Sequence, residues 1–170
     1  MTLRKIIYMP DPVLRRKAHK VIDFGKEFQG LVDDMIETMR QAPGVGLAAP
    51  QVNVSQRLIV IEYGENEEED EDVVKKLYVV ANPEIIHTSD TKVKGVEACL
   101  SVPGLAGEVE RYTQITVKGQ NRRGQLLHLK LEGWTARIFQ HEIDHLNGIL
   151  FVDLAERVWK PKEEEVLQAD

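Results

Sequence analysis

A pair of histidines four residues apart, His141 and His145, most constrains how this chain can fold. They stand in the run QHEIDH at 140–145, whose surroundings favour a helix. Side chains four residues apart lie on one face of a helix, so both imidazoles can bind one metal ion. Glu142 lies beside such an ion without having to ligate it. The pattern predicts a hydrolase in which a metal-bound water is the nucleophile and the carboxylate transfers its protons.

Composition and charge narrow the remaining classes. With 170 residues, 42% of them hydrophobic, the chain is predicted to form one domain over residues 1–170. The net charge of −6 disfavours nucleic acid as the main partner, because phosphate binding needs a basic face. No apolar run approaches the roughly 20 residues needed to cross a bilayer, and the N-terminal apolar run is too short for a signal peptide. We therefore expect a cytoplasmic protein without a membrane partner.

Apolar periodicity predicts one helix near the N-terminus and several strands after it. Apolar side chains recur at helical spacing over 27–42, and Pro43 follows. Strands are predicted at 57–63, 77–82, 85–88, 92–97, 114–119 and 126–131. A last helix is predicted from Thr135, a candidate N-cap, to Leu146, with Gly148 just past its end. This order indicates an α+β fold, with mostly antiparallel short strands around a central metal-binding helix and an N-terminal helix.

Two segments are predicted to lie outside the packed part of the domain. Residues 65–72 hold seven acidic residues in eight positions, which is typical of a solvated surface loop because the charges repel one another. Residues 160–170 include three consecutive glutamates and are predicted to form a loosely ordered tail.

The third metal ligand is not fixed by the histidine pair. A catalytic site of this kind usually has three protein ligands and one open position for water. The candidates are Cys99, a further acidic residue, and His19, His87 or His128. Cys99 is the only cysteine, which excludes an internal disulfide, and its thiolate would bind a cation softly and tightly. The three other histidines have polar or charged neighbours and are expected at the surface.

Three separated segments together resemble the signature motifs of the peptide deformylase family. They are GVGLAAPQ at 44–51, EACLS at 97–101 and QHEIDH at 140–145, in the family's order and at plausible spacing. The resemblance covers most of the chain, including residues 9–15 and the Asn147-Gly148 pair. One position departs from the family's motif: Ala98 stands where the family commonly has glycine. Its methyl group is expected to lie next to the site.

The resemblance implies a set of metal ligands and an activity. The ligands would be Cys99, His141 and His145, and Glu142 would be the catalytic acid–base. The family removes the formyl group from the N-terminal methionine of newly made polypeptides and releases formate. Its usual natural metal is Fe²⁺, one ion per chain, and Zn²⁺ or Ni²⁺ can occupy the same site. Its substrates are nascent formyl-methionyl peptides, which implies the ribosome as a partner.

Substrate contacts are implied at the other two motifs. The side-chain amide of Gln51 and the backbone N–H of Leu100 match the family's oxyanion donors. The backbone of Val45 and Gly46 matches the segment that clamps the peptide. The methionine side chain needs an apolar pocket near the metal helix, and Ile138 lies on the helix face that carries the ligands.

Three further residues of the metal helix have less definite roles. Arg137 is expected to line the rim of the pocket with its stem while its charged head stays in water. Trp134 is expected farther along the same wall. Two explanations account equally for the presence of Trp134, Arg137 and Ile138 on this helix: ordinary core packing and contact with the substrate. Asp144 is expected to orient a histidine or to cap a neighbouring group rather than to ligate the metal.

Two other functions stay open from the sequence. An H-E-x-x-H zinc endopeptidase would need a third ligand after His145, for which Asp153 and Glu156 are the candidates. A binding module with a structural metal would need a fourth protein ligand, and the chain has no second cysteine. The deformylase is preferred because three motifs agree.

Overall fold

The computed structural model describes residues 2–64 and 74–162. The acidic segment 65–72 and most of the 160–170 tail, for which a surface loop and loose order are predicted, lie outside the described residues. None of the helices within the described ranges is long and apolar enough to cross a membrane.

The described part of the chain contains three α-helices, eight strands and two short 3₁₀ helices, at Pro12–Arg15 and Ala49–Val52. The helices are α1 (Lys26–Gln41), α2 (Gly133–Leu146) and α3 (Phe151–Leu154). The strands are β1 (Gly46–Ala48), β2 (Leu58–Tyr63), β3 (Lys76–Thr88), β4 (Lys92–Cys99), β5 (Val102–Tyr112), β6 (Gln114–Gln120), β7 (Leu126–Glu132) and β8 (Arg157–Trp159). All strand pairs in the two sheets are antiparallel, so the predicted α+β class is confirmed.

The larger sheet, in the order β1-β2-β3-β6-β7, is covered by a helix on each face. Strand β2 shows the arrangement, because Leu58 and Val60 pack with α1 whereas Ile59 and Ile61 pack with α2. A strand covered on both faces is apolar at every position, which explains its continuous hydrophobic run. The predicted apolar stripe of α1 is buried along its length, and each such side chain contributes about 1.5–3 kcal/mol.

The smaller sheet, in the order β4-β5-β8, brings the cysteine motif to α2. Cys99 ends β4 and packs with Leu150 and Phe151 in a separate apolar cluster. Glu97 lies two residues earlier on the same strand, with a register shift between Ala98 and Cys99. Both side chains contact α2, Glu97 through His141 and Cys99 through His145.

Some predicted strand boundaries are wrong. Strand β3 is continuous through Pro83, where two strands were expected, because a register shift between Ala81 and Glu84 accommodates the proline; a second shift follows between Ile85 and His87. Strand β5 was not predicted, since two glycines and a proline obscure its pattern. Strand β1 lies within the GVGLAAPQ segment at 44–51, where no strand was predicted.

The start of α2 also differs from the prediction. The helix begins at Gly133, so Thr135 lies inside it and is not its N-cap. Gly133 has a φ of 62°, which turns the chain directly from β7 into the helix. At the other end Gly148 has a φ of 74° just past the helix, as predicted.

Candidate metal centre and active site

Cys99, His141 and His145 form a compact cluster where β4 meets α2. One ligand atom from each lies within 4.8 Å of the others, and Cys99 Sγ is 3.3 Å from His145 Nε2. Within the described ranges this is the one group of three or more potential His, Cys or acidic ligands. A sulfur and two imidazole nitrogens suit a divalent transition-metal ion, and three protein ligands leave a coordination position for solvent. The residues present therefore fit a single metal site.

Burial shifts the pKa values of two residues of the cluster, Cys99 and His145. Burial raises the pKa of the Cys99 thiol, so its thiolate form requires a nearby positive charge. His145 is only 1% exposed, and burial lowers the pKa of its ring, which favours the neutral form that ligates metals. Both ligands are thus shielded from water.

His141 is oriented by a buried carboxylate. Its Nδ1–H donates to Glu97 Oε1 at 2.8 Å, which leaves Nε2 as the ring nitrogen available to a metal. By contrast, the buried Nδ1 of His145 has no hydrogen-bond partner among the described residues. The contact with Glu97 therefore orients the ring of His141, whereas the ring of His145 lies against Cys99 Sγ.

Two arginines surround Glu97. Arg111 donates to both carboxylate oxygens, at 2.9 Å each, and Arg137 donates to Oε2 at 2.6 Å. Burial opposes ionisation of this carboxyl, but the hydrogen bonds from Arg111 and His141 outweigh it and hold the pKa of Glu97 far below its usual range. Asp144 does not join the ligand cluster and instead accepts from Arg111 at 2.6 Å.

The expectation that the charged head of Arg137 stays in water is wrong. The residue is 3% exposed, and its guanidinium also donates to the backbone carbonyls of Val109, at 2.9 Å, and Val93, at 2.7 Å. Those partners and Glu97 compensate the cost of removing the charge from water. The ring of Trp134 lies against the guanidinium, with the ring centroid 5.3 Å from Cζ.

Glu142 is buried beside the cluster and against the backbone of β1. Its Oε1 lies 3.9 Å from His145 Nε2, and the residue is 3% exposed. A Cβ at position 46 would lie 2.5 Å from Glu142 Oε2, so only glycine leaves room for the carboxylate there. Gly46 thus lets the strand pass directly alongside the acid.

Gln51 has its side-chain amide fixed in one orientation. Its Oε1 accepts from the Ala48 N–H at 2.9 Å, while its Nε2 donates to Ser101 Oγ at 3.0 Å and lies 3.6 Å from Cys99 Sγ. Because the oxygen is held by the backbone, the amide N–H side faces the metal ligands. Leu100 follows Cys99 directly and lines a cavity together with Gln51 and Cys99.

The predicted site residues meet in one cavity that encloses about 390 Å³, including its open mouth. All predicted site residues except His145 line it: Val45, Gly46, Gln51, Cys99, Leu100, Ile138, His141 and Glu142. Ala98 also lines the cavity, and its φ is not in the left-handed region that would require glycine.

Comparison with known proteins identifies the family. Residues 3–160 match the sequence model of the family described as "Polypeptide deformylase". The chain belongs to the peptide deformylase family. The peptide deformylase of Natranaerobius thermophilus is 45% identical over 163 residues, which span 96% of this chain and 99% of that one. The peptide deformylase of Thermus thermophilus is 51% identical over 167 residues, with 94% and 84% covered.

A solved deformylase has the same fold. The crystal structure of peptide deformylase from Thermotoga maritima matches with a TM-score of 0.84 at 41% identity, and the match covers 92% of this chain and all of that one. A peptide deformylase is a hydrolase that removes N-formyl groups. This chain shares the family's sequence and fold, and it has a cluster of one cysteine and two histidines that fits a single metal site. Formylated nascent peptides are its substrates.

The endopeptidase alternative is not favoured. Its candidate third ligands lie outside the metal cluster: Asp153 pairs with Arg15, and Glu156 pairs with Lys94. The other histidines, His19, His87 and His128, are exposed, as predicted.

Glu97 and Arg111 had no predicted role from the sequence. Glu97 stands in the EACLS motif, and its position two residues before Cys99 on a strand is a signal that both side chains share a face. Arg111 lies in β5, which was not predicted, so no local pattern indicated that it contacts Glu97.

Proposed function

We propose that residues 1–170 form a single catalytic domain that uses these residues to deformylate the N-terminal methionine of new polypeptides. The observation that carries the proposal is the meeting of the Cys99, His141 and His145 cluster with Glu142 and Gln51 around one cavity. Metal ligands, an acid–base and a hydrogen-bond donor are the groups that amide hydrolysis needs.

Cys99, His141 and His145 would hold one divalent ion. We propose Fe²⁺ as the ion in the cell, with Zn²⁺ or Ni²⁺ able to take its place, on the basis of the family resemblance and of a donor set that suits each. When bound, such an ion would lower the pKa of coordinated water to about 7 and would polarise the formyl carbonyl.

Glu142 would act as the acid–base. It would accept a proton from the attacking water and then deliver one to the amine of the leaving peptide. Its support is position, since the carboxylate is buried and its Oε1 is 3.9 Å from a ligating nitrogen of His145.

Gln51 and the backbone N–H of Leu100 would stabilise the oxyanion formed from the formyl oxygen. For Gln51 the support is the position of its amide: the Ala48 N–H holds its Oε1, and its Nε2 lies 3.6 Å from Cys99 Sγ. For Leu100 the support is its position directly after the sulfur ligand, together with the family resemblance.

The substrate main chain would bind along Val45 and Gly46. Strand β1 lies at the edge of the five-stranded sheet, so an extended peptide can add to it as a further strand. The methionine side chain would enter the cavity against Ile138, which is buried in the wall formed by α2. We also propose a cytoplasmic location and the ribosome as a partner, because the substrate is a nascent chain.

The test compares formylated and unformylated substrates. Purified protein is given formyl-Met-Ala in one reaction and casein in another. We expect formate from the first and no cleavage of the second. Cleavage of casein without formate release would support the endopeptidase instead, and inactivity toward both would support a binding module. Metal analysis of protein prepared without oxygen would test the assignment of Fe²⁺.

A further inference from the structure

Arg137 joins the two elements that carry the metal ligands. It lies on α2, which bears both histidines, and its guanidinium donates to Glu97 and to the Val93 carbonyl on β4. A third bond, at 2.9 Å, reaches the Val109 carbonyl on β5. Cys99 ends β4, so Arg137 connects the helix with the strand that supplies the sulfur.

We infer that Arg137 is a positioning residue of the metal centre, which fixes Cys99 on β4 relative to His141 and His145 on α2. The inference rests on the metal site of the proposed function and assigns Arg137 no part in the bond-breaking step. Arg137 acts through Glu97 and through two backbone carbonyls.

The hydrogen bonds of Glu97 show why a guanidinium is needed. Arg111 supplies two donors to the carboxylate, and His141 and Arg137 supply one each. A carboxylate has about four acceptor sites, so these donors hold it fully. Without Arg137, Oε2 of Glu97 loses its shortest contact. The hydrogen bonds from Arg111 and His141 then remain to hold the carboxylate that orients His141.

The charges in this cluster also balance. Arg111 and Arg137 face two buried or largely buried carboxylates, Glu97 and Asp144. Removal of one buried partner leaves an uncompensated charge, which is costly in the protein interior. An apolar side chain at position 137 would therefore disturb the carboxylate that touches the metal ligand.

Gly95 provides space for the guanidinium. A Cβ built at position 95 would lie 2.8 Å from Arg137 Cζ, 2.9 Å from Nε and 3.0 Å from Nη2. The three nearest atoms all belong to Arg137, and the φ of Gly95 is not in the left-handed region. Substitution of alanine at position 95 is thus a selective way to displace the guanidinium without deleting it.

The experiment measures metal binding rather than turnover. Metal-free protein is titrated with Co²⁺ without oxygen, and the dissociation constant is obtained by competition with a chelator. The thiolate-to-cobalt absorption band reports whether sulfur ligates, and thermal unfolding of the metal-free protein reports stability. The variants are Arg137→Met, Arg137→Lys, Gly95→Ala and the double variant of Gly95→Ala with Arg137→Met. Matched controls are Arg40→Met, which removes a surface ion pair with Glu62, and Gly30→Ala, where a Cβ meets nothing within 4 Å.

We expect Arg137→Met to weaken Co²⁺ binding about 10–100-fold, as is typical when a group that supports a metal ligand is lost, and to shift the absorption band. Arg137→Lys should recover part of the affinity, because an ammonium can bond Glu97 but lacks the fixed fork of donors. Gly95→Ala should weaken binding when Arg137 is present and add nothing to Arg137→Met. The controls should bind as the wild type does.

Several results would overturn the inference. A purely structural Arg137 would lower the unfolding temperature of the metal-free protein and leave the dissociation constant and absorption band unchanged. Equal weakening by Gly95→Ala with and without Arg137 would also contradict it. If Arg137→Met does not fold, Gly95→Ala and Arg137→Lys decide the question, and wild-type affinity in both would reject the inference. Wild-type protein that shows no thiolate band would instead reject the metal site itself.

Discussion

Replacement of Gly46 by alanine should displace Glu142 without changing a metal ligand. The added Cβ would lie 2.5 Å from Glu142 Oε2 and 2.9 Å from both its Cδ and its Cγ. Non-bonded carbon atoms settle at about 3.5–4.0 Å, so the carboxylate must move by roughly 1 Å. Because Glu142 is 3% exposed, that movement takes place among packed atoms rather than into solvent.

The displacement sets the size of the expected effect. A misplacement of about 1 Å in a reacting group can cost about 10² in rate, which corresponds to roughly 2.7 kcal/mol in activation free energy. We therefore expect Gly46→Ala to lower kcat about 100-fold. Metal content should stay at the wild-type level, since the three atoms nearest the new Cβ all belong to Glu142 and none to a proposed metal ligand.

The assay is formate release from formyl-Met-Ala, followed by coupled oxidation of formate, with metal content measured on the same preparation. Gly44→Ala is the matched control on the same segment, because its Cβ would meet the end of the flexible Leu100 side chain at 3.0 Å. That variant should lose much less activity. Wild-type kcat in Gly46→Ala, or a loss of metal equal to the loss of activity, would refute the reasoning.

Four further substitutions test the remaining roles in the site and one turn of the fold. Cys99→Ala should lose both metal and formate release, whereas Glu142→Ala should keep its metal while turnover collapses; metal loss in the second variant would contradict the acid–base role. Gln51→Ala should keep its metal and lower kcat about 10²–10³-fold in the formate assay, and an effect on KM alone would contradict an oxyanion role. Gly148→Ala should lower the free energy of unfolding by more than about 1 kcal/mol in urea titrations, because its φ is 74° and its Cβ would lie 2.5 Å from the backbone oxygen of Arg15. An unchanged urea midpoint would contradict that last expectation.

The parts of the fold that were predictable have strong local patterns. The stripe of α1 repeats over four turns, and β2 is apolar at four consecutive positions because helices cover both its faces. The pattern of β5 is interrupted by Pro103, Gly104 and Gly107, so its strand depends on pairing with β4 and β8 rather than on its own sequence. Strand β1 is three residues long, which is too short for periodicity to reveal.

The candidate site was predictable where motifs are contiguous and less so where distant residues meet. Each of the three motifs is a contiguous segment of the sequence, and residues from all three line one cavity in the folded chain. The environment of Arg137 was not predictable, because an arginine on a helix is ordinarily exposed to solvent. Its buried partners, Glu97 and two strand carbonyls, come from elements distant in sequence. The role of Arg111 likewise depends on tertiary contact alone.

The proposed metal ligands are divided between a helix and a strand that is distant in sequence. This division links occupancy of the metal site to the conformational stability of the protein. His141 and His145 stay close in sequence when the chain denatures, but Cys99 separates from them, so the denatured chain retains only a weak two-imidazole chelate. An ion that prefers the native state stabilises it by mass action, by about 2.7 kcal/mol at a free concentration of 100 times the Kd. The melting temperature of this protein should therefore rise with the concentration of free metal, so that supply of the ion governs the lifetime of the folded enzyme as well as its turnover.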